Sequence, residues 1–122
     1  MGKFIVKTVN SGVKFDLTAT NGQTIVTSEV YTTMAACRKG IESVRKNGPI
    51  AGVENQTEEG YAVLGHPKFE MYQDKAGEFR FRLKARNGKV IAVSEGYTAK
   101  AGCLNGIESV KNNAGDAPVV EE

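Results

Sequence analysis

The chain has no tryptophan, a single histidine, three prolines and two cysteines in 122 residues. Each shortage closes a class of function. With one histidine, His66, set between Gly65 and Pro67, no Ser-His-Asp or Cys-His relay can be assembled, because that chemistry needs a base fixed beside a nucleophile. Cys37 and Cys103 stand at equivalent places in the sequence and neither belongs to a CxxC, so with one histidine a structural zinc site would have to recruit scattered ligands, and no metal or cofactor is implied. Charge of one sign is scarce too: 16 Lys and Arg against 14 Asp and Glu give +2, too little to imply a polyanion partner unless it is locally clustered. No stretch approaches the ~18 apolar residues of a membrane span, and Lys3 interrupts the place where an apolar signal core would run. A soluble cytoplasmic protein is expected. Phosphate-binding glycine loops of the GxxxxGK[ST] or GxGxxG kind do not occur.

What is present is a duplication. NGQTIVTSEVYTTMAACRKGIESV over residues 21–44 returns as NGKVIAVSEGYTAKAGCLNGIESV over residues 87–110, a constant offset of 87 − 21 = 66. Self-similarity at a fixed period marks duplicated units that bury their apolar faces on one another. At 40% hydrophobic and 25% charged the composition is globular, and each copy alone is too small to bury much surface. One domain of two repeats, 3–55 and 68–120, joined by a connector over 56–67, is therefore expected.

Within the first copy, Phe4 and Val6 alternate with Lys3 and Lys7, and Val13, Phe15, Leu17 and Ala19 with Lys14, Asp16, Thr18 and Thr20. This period of two predicts two half-buried strands. Asn21-Gly22 and Asn87-Gly88 read as two-residue hairpin turns with positive φ at both positions, leading into a third strand in each copy. From Met34 the period lengthens to about 3.6 through Cys37, Ile41 and Val44, predicting a helix with Thr32 or Thr33 as N-cap and a stop at Asn47-Gly48-Pro49. Ile50–Val53 suggests a fourth strand. The second copy repeats the order, with Phe69, Met71, Phe79, Phe81 and Leu83 inward, a helix from about Thr98 to Asn112, and Ala117–Val120 last.

The block running from Asn-Gly through Ser-Glu-x-Tyr to Gly-Ile-Glu-Ser-Val, behind a Phe-x-Leu or Phe-x-Phe-x-Leu strand, resembles the YegP-like family of small, mostly bacterial proteins of uncharacterised function. The residue patterns predict an α+β fold, a single antiparallel sheet of six to eight strands with two helices on one face, pseudo-twofold symmetric between the repeats; the resemblance implies the same tandem β-β-β-α-β repeats and adds that the C-terminal strands are exchanged between halves. It brings no activity with it.

Candidate functional residues fall into two groups. Ser28, Glu29 and Tyr31, with Ser94, Glu95 and Tyr97, stand where a strand passes into a helix, and occur in both copies beside Cys37, Gly40, Cys103 and Gly106. A structural role is expected of all of them, the carboxylates complementing the helix dipole and the tyrosine rings packing under the helix. The second group is a difference between copies: Lys14, Asp16, Thr18 and Thr20 become Arg80, Arg82, Lys84 and Arg86, with Lys89 beyond the turn and Tyr72 on the next strand. Basic side chains at alternate strand positions, with an aromatic alongside, form a stripe suited to a phosphate backbone or another anionic ligand. The sequence reading is a non-catalytic binding module on the open sheet face, the alternative being a protein-interaction element working through sheet edges or helices, and a third, ranked below both, a small enzyme using the Ser-Glu-x-Tyr junctions with Glu29 or Glu95 held in a cleft.

Overall fold

The computed structural model describes residues 2–122. The strands are β1 (Lys3–Val9), β2 (Gly12–Thr18), β3 (Thr24–Thr27), β4 (Gly52–Asn55), β5 (Lys68–Gln73), β6 (Phe79–Lys84), β7 (Val90–Ser94) and β8 (Val119–Glu121), with helices α1 (Met34–Asn47) and α2 (Lys100–Asn113). They form one eight-stranded sheet in the order β4-β5-β6-β7-β3-β2-β1-β8. The alternating residues fall as the period of two requires: Phe4, Val6, Phe15 and Leu17, and Phe69, Met71, Phe81 and Leu83, are buried on one face. There they meet Cys37, Ile41 and Val44 of α1 and Cys103, Ile107 and Val110 of α2 in a single core.

The expectation of a purely antiparallel sheet is corrected. The six inner strands are antiparallel, but β4 pairs with β5 and β8 with β1 in parallel. Parallel neighbours in sequence need a connection of about a dozen residues to return to the same end, and the 56–67 connector supplies it between β4 and β5. Each unit thus closes with a strand that pairs with the first strand of the other unit, the exchange that the family resemblance implied.

The hairpin turns also differ from expectation, and this difference bears on the site. Within the two Asn-Gly pairs the glycines take positive φ, Gly22 +85° and Gly88 +81°, and Asn21 and Asn87 do not. The Gly22 N–H donates to the Ala19 carbonyl at 2.9 Å and the Ala19 N–H to Gln23 at 2.8 Å; the Gly88 and Ala85 bonds match, both at 2.9 Å. This is a three-residue loop, a turn followed by a left-handed glycine, and not the two-residue turn. Asn21 Oδ1 and Asn87 Oδ1 accept from the N–H of Gln23 and Lys89, each at 3.0 Å. The register slips beside it, between Leu17 and Thr18 and between Leu83 and Lys84. The alternation of outward residues therefore ends at Lys84.

Candidate anion-binding surface

The repeated Ser-Glu-x-Tyr elements are occupied by the fold. Ser28 Oγ accepts from the Phe15 N–H at 2.9 Å and donates to the Glu29 carbonyl at 2.7 Å; Ser94 does the same with Phe81 and Glu95 at 2.9 and 2.8 Å. Tyr31 and Tyr97 each form an isolated backbone bridge, to Val13 and Phe79, and lay their rings parallel to Phe15 and Phe81 at 6.4 Å between centroids. A methyl placed on Gly40 or Gly106 would fall on the tyrosine hydroxyl, so glycine in mid-helix is the condition for the ring to pass under it. Both thiols are fully buried; burial pushes Cys103 up to about 11 and raises Cys37 as well, the reverse of what a nucleophilic thiolate needs. The glutamates act differently from expectation. Glu29 and Glu95 are exposed and lie five residues before Met34 and Lys100, beyond the reach of the helix dipole, and only their carbonyls are used. Thr33 is the N-cap of α1, accepting from the Ala36 N–H at 3.1 Å, while α2 begins after Ala99 with no side-chain cap.

On the face away from the helices, Arg80, Arg82, Lys84 and Tyr72 come together on β5 and β6, but each cation there is already matched. Arg80 Nε donates to Asp74 at 2.6 Å and Arg82 Nε to Glu70 at 2.6 Å, with Lys84 Nζ at 3.3 Å from the same glutamate. Lys68, itself buried, lies 2.7 Å from Glu54 and 3.2 Å from Glu70. Glu54 also accepts from Gln56 Nε2 and the Leu64 N–H, so the connector folds over this corner of the face and closes it. Hydrogen bonds from Lys68 and Gln56 hold the Glu54 carboxyl well below its usual range, at about 2. Burial pushes Glu70 upward, but donation from Arg82, Lys68 and Lys84 outweighs it and the net direction is down. The Tyr72 ring is covered too, by the Arg82 guanidinium 4.5 Å from its centroid. In the first unit Lys7 and Lys14 stand 3.1 and 3.4 Å from Asp16.

Arg86 and Lys89 do not share that face. They lie past the register slip, on the β6–β7 loop, where Arg86 lines a cavity of ≈ 340 Å³ with Lys46, Asn47 and Ile50 at the C-terminal end of α1. Arg86, Lys89 and Lys46 are exposed, and among the described residues none has an ion-pair partner. The His66 ring borders the same loop, 3.6 Å from where a Gly88 side chain would begin. Sequence reasoning missed Lys46. The signal available was its replacement by Asn112 in the second copy, parallel to the Arg86 to Thr20 difference. Among the described residues no three His, Cys, Asp or Glu side chains are grouped to hold a metal ion, and no helix is long and apolar enough to cross a membrane.

Comparison with known proteins agrees with this architecture. A family profile described as "Domain of unknown function (DUF1508)" matches the chain twice, over residues 10–55 and 74–121. A UPF0339 protein of Pseudomonas aeruginosa is 36% identical over 121 residues, 98% of this chain and 96% of that protein. A UPF0339 protein of Treponema denticola is 70% identical over 54 residues, 44% of this chain but 93% of that protein, so it has about the length of one unit. Two solution structures share the whole fold. The protein of unknown function yegP from E. coli has a TM-score of 0.79 at 34% identity, covering 99% of this chain and 92% of that one. A UPF0339 protein from Shewanella oneidensis has a TM-score of 0.81 at 30% identity, covering 98% and 90%. Bearing two copies of the matched domain and the YegP-like fold along its whole length, the chain belongs to the DUF1508 (UPF0339) family, whose function is unknown.

Proposed function

We propose that the protein is a non-catalytic cytoplasmic module that binds the phosphate backbone of single-stranded nucleic acid, and that it does so at the β6–β7 loop and the end of α1. The observation that carries this reading is that Arg86 and Lys46 line one cavity with no carboxylate in it, whereas the cations of β5 and β6 are spent on Glu54, Glu70 and Asp74. A cation in the last turn of a helix complements the dipole, which accounts for Lys46 but not for Arg86 or Lys89. With Tyr72 covered by Arg82, the contact would be with phosphates and sequence-tolerant. The non-catalytic reading is supported by the engagement of both serines, both tyrosines and both thiols in the core, and the cytoplasmic one by two buried, unpaired cysteines. Pairing through sheet edges is less favoured: β8 is three residues long and runs into Glu121 and Glu122, features that blunt an edge.

The test is a backbone-amide NMR titration with short single-stranded DNA and RNA. Shifts gathered at residues 46–50 and 85–90 are expected, and a reversal of charge at Arg86 with Lys46→Glu should abolish them. Shifts centred on residues 68–84 would return the site to the sheet face; an absence of localised shifts with either strand would overturn the reading.

A further inference from the structure

The two units meet so that each helix lies beside the hairpin loop of the other unit. α2 borders the β2–β3 loop across a groove of ≈ 220 Å³ lined by Asn21, Gln23, Glu95, Tyr97, Asn105 and Ser109, among others. The internal symmetry is close there: the loops match in every backbone bond to within 0.1 Å, and the Phe15–Tyr31 and Phe81–Tyr97 stacks have equal spacing. Applying the offset of 66 therefore places Lys89 where Gln23 stands and Lys39 where Asn105 stands, facing one another across the groove between α1 and the β6–β7 loop. The cavity shared by Arg86 and Lys46 shows directly that this loop and this helix are neighbours.

From this we infer that the anion site is an elongated groove, one per chain, in which a single strand runs from Lys46 and Arg86 past Tyr31 to Lys39 and Lys89. This rests on the reading proposed above and adds the path, the polarity between the copies and the stoichiometry. All four cations are exposed, and all four lack an ion-pair partner among the described residues. Their counterparts are neutral at every position: Thr20 for Arg86, Gln23 for Lys89, Asn105 for Lys39 and Asn112 for Lys46. Lys39 and Lys46 are seven residues apart on α1, so about 10 Å along its axis, a span that reaches more than one phosphate. The acid of the groove, Glu29, has its counterpart Glu95 in the second groove, so it does not distinguish the two. What distinguishes them is charge, four cations in one and, in the other, Asp116 at the place of Ile50, and a linear polyanion is the ligand that would read it.

The experiment is fluorescence anisotropy of an oligothymidylate of about eight nucleotides, titrated at several salt concentrations, with stoichiometry taken at low salt. Four phosphates neutralised on a single strand give a slope of log affinity against log salt of about −2.8, or roughly a 50-fold loss between about 50 and 200 mM. Lys39→Asn with Lys89→Gln should bring the slope to about −1.4, while Lys75→Gln, on the β5–β6 turn, should leave it unchanged. Installing the cations in the second groove, as Thr20→Arg, Gln23→Lys, Asn105→Lys and Asn112→Lys, together with Asp116→Ile to match Ile50 of the first, should raise the stoichiometry from one strand per chain to two. A slope untouched by the Lys39 and Lys89 changes but lowered by Arg86→Thr would overturn the groove and leave the anion reading in place. No binding by the unaltered chain would overturn both. Dispersed amide spectra of each variant separate a lost site from a lost fold.

Discussion

At the scale of single residues, the repeated motif is best understood as one packing device made of a glycine, a tyrosine, a phenylalanine and a serine. Gly40 has the Tyr31 hydroxyl and, at 3.1 Å from a hypothetical Cβ, a Phe15 ring carbon against it; Gly106 meets Tyr97 and, at 3.0 Å, Phe81. Alanine would gain about 1 kcal/mol in helix propensity, but the ring above is held by its stack and by the backbone bridge at the tyrosine itself, so it cannot swing aside. Overpacking of a fixed core costs about 1 to 3 kcal/mol, so Gly40→Ala and Gly106→Ala should each lower the urea midpoint. Gly102 provides the contrast. Its nearest neighbour is Tyr97 Cδ1 at 3.4 Å, ordinary contact, and the first unit already has Ala36 at the equivalent place. Gly102→Ala should therefore add up to about 1 kcal/mol of stability and raise the midpoint accordingly. A stabilising Gly40→Ala would show that the ring is free to move and that the glycine is there for some other reason.

At the scale of elements, the strands and helices were legible because their periods are clean, while two short segments were not. Asn-Gly is compatible with both a two-residue and a three-residue loop, and the sequence carries nothing that separates them. The extra residue ended the outward alternation at Lys84, so a row of five cations read from the sequence became three paired on the sheet face and two unpaired on the β6–β7 loop, Arg86 of them beside α1. β4 was the other obscure element, expected over Ile50–Val53 and found over Gly52–Asn55, with Ile50 60% exposed and Glu54 2% exposed. A glutamate between Val53 and Asn55 reads as surface until the connector is laid over it. That burial has a consequence in acid. The Glu54 carboxyl has an ordinary value of 4.5 and is held at about 2 in the fold, so the stability it contributes is present above 4.5 and is lost as pH falls through that interval towards 2. Asp16 and Glu70 are lowered also and act in the same direction. The urea midpoint of the native chain should fall across this window, and Glu54→Gln should show a shallower fall from a lower starting point. Equal acid limbs for the two proteins would mean that the connector is not anchored through this carboxylate.

At the scale of the whole molecule, the exchange of β4 and β8 decides how the chain unfolds. Spacing alone could not reveal it, since either unit could have closed on its own first strand with the same sequence pattern; only the family resemblance implied it. In the structure β8 lies against β1, with the Phe4 N–H donating to the Pro118 carbonyl and the Glu122 N–H to Val6, at 2.8 and 2.9 Å, and Arg45 of α1 reaches the Ala117 carbonyl at 2.6 Å. On the other side Lys111 of α2 donates to the Ala51 carbonyl at 2.6 Å, next to β4. Neither half can therefore lose its order without uncovering an edge and a helix end of the other. A single cooperative transition follows, although the sequence is a plain tandem of two similar pieces and two independent transitions would be the naive expectation for it. Phe4→Ala tests this, because Phe4 is fully buried in the first unit, edge-on to Phe15, and about 3 to 5 kcal/mol of stability should be lost with it. Native-state hydrogen exchange should then show protection falling by a similar free energy in β5 and β6 as in β1 and β2. If β5 and β6 kept their protection while β1 and β2 lost theirs, the halves would be separate folding units and the exchanged strands only an ornament of topology.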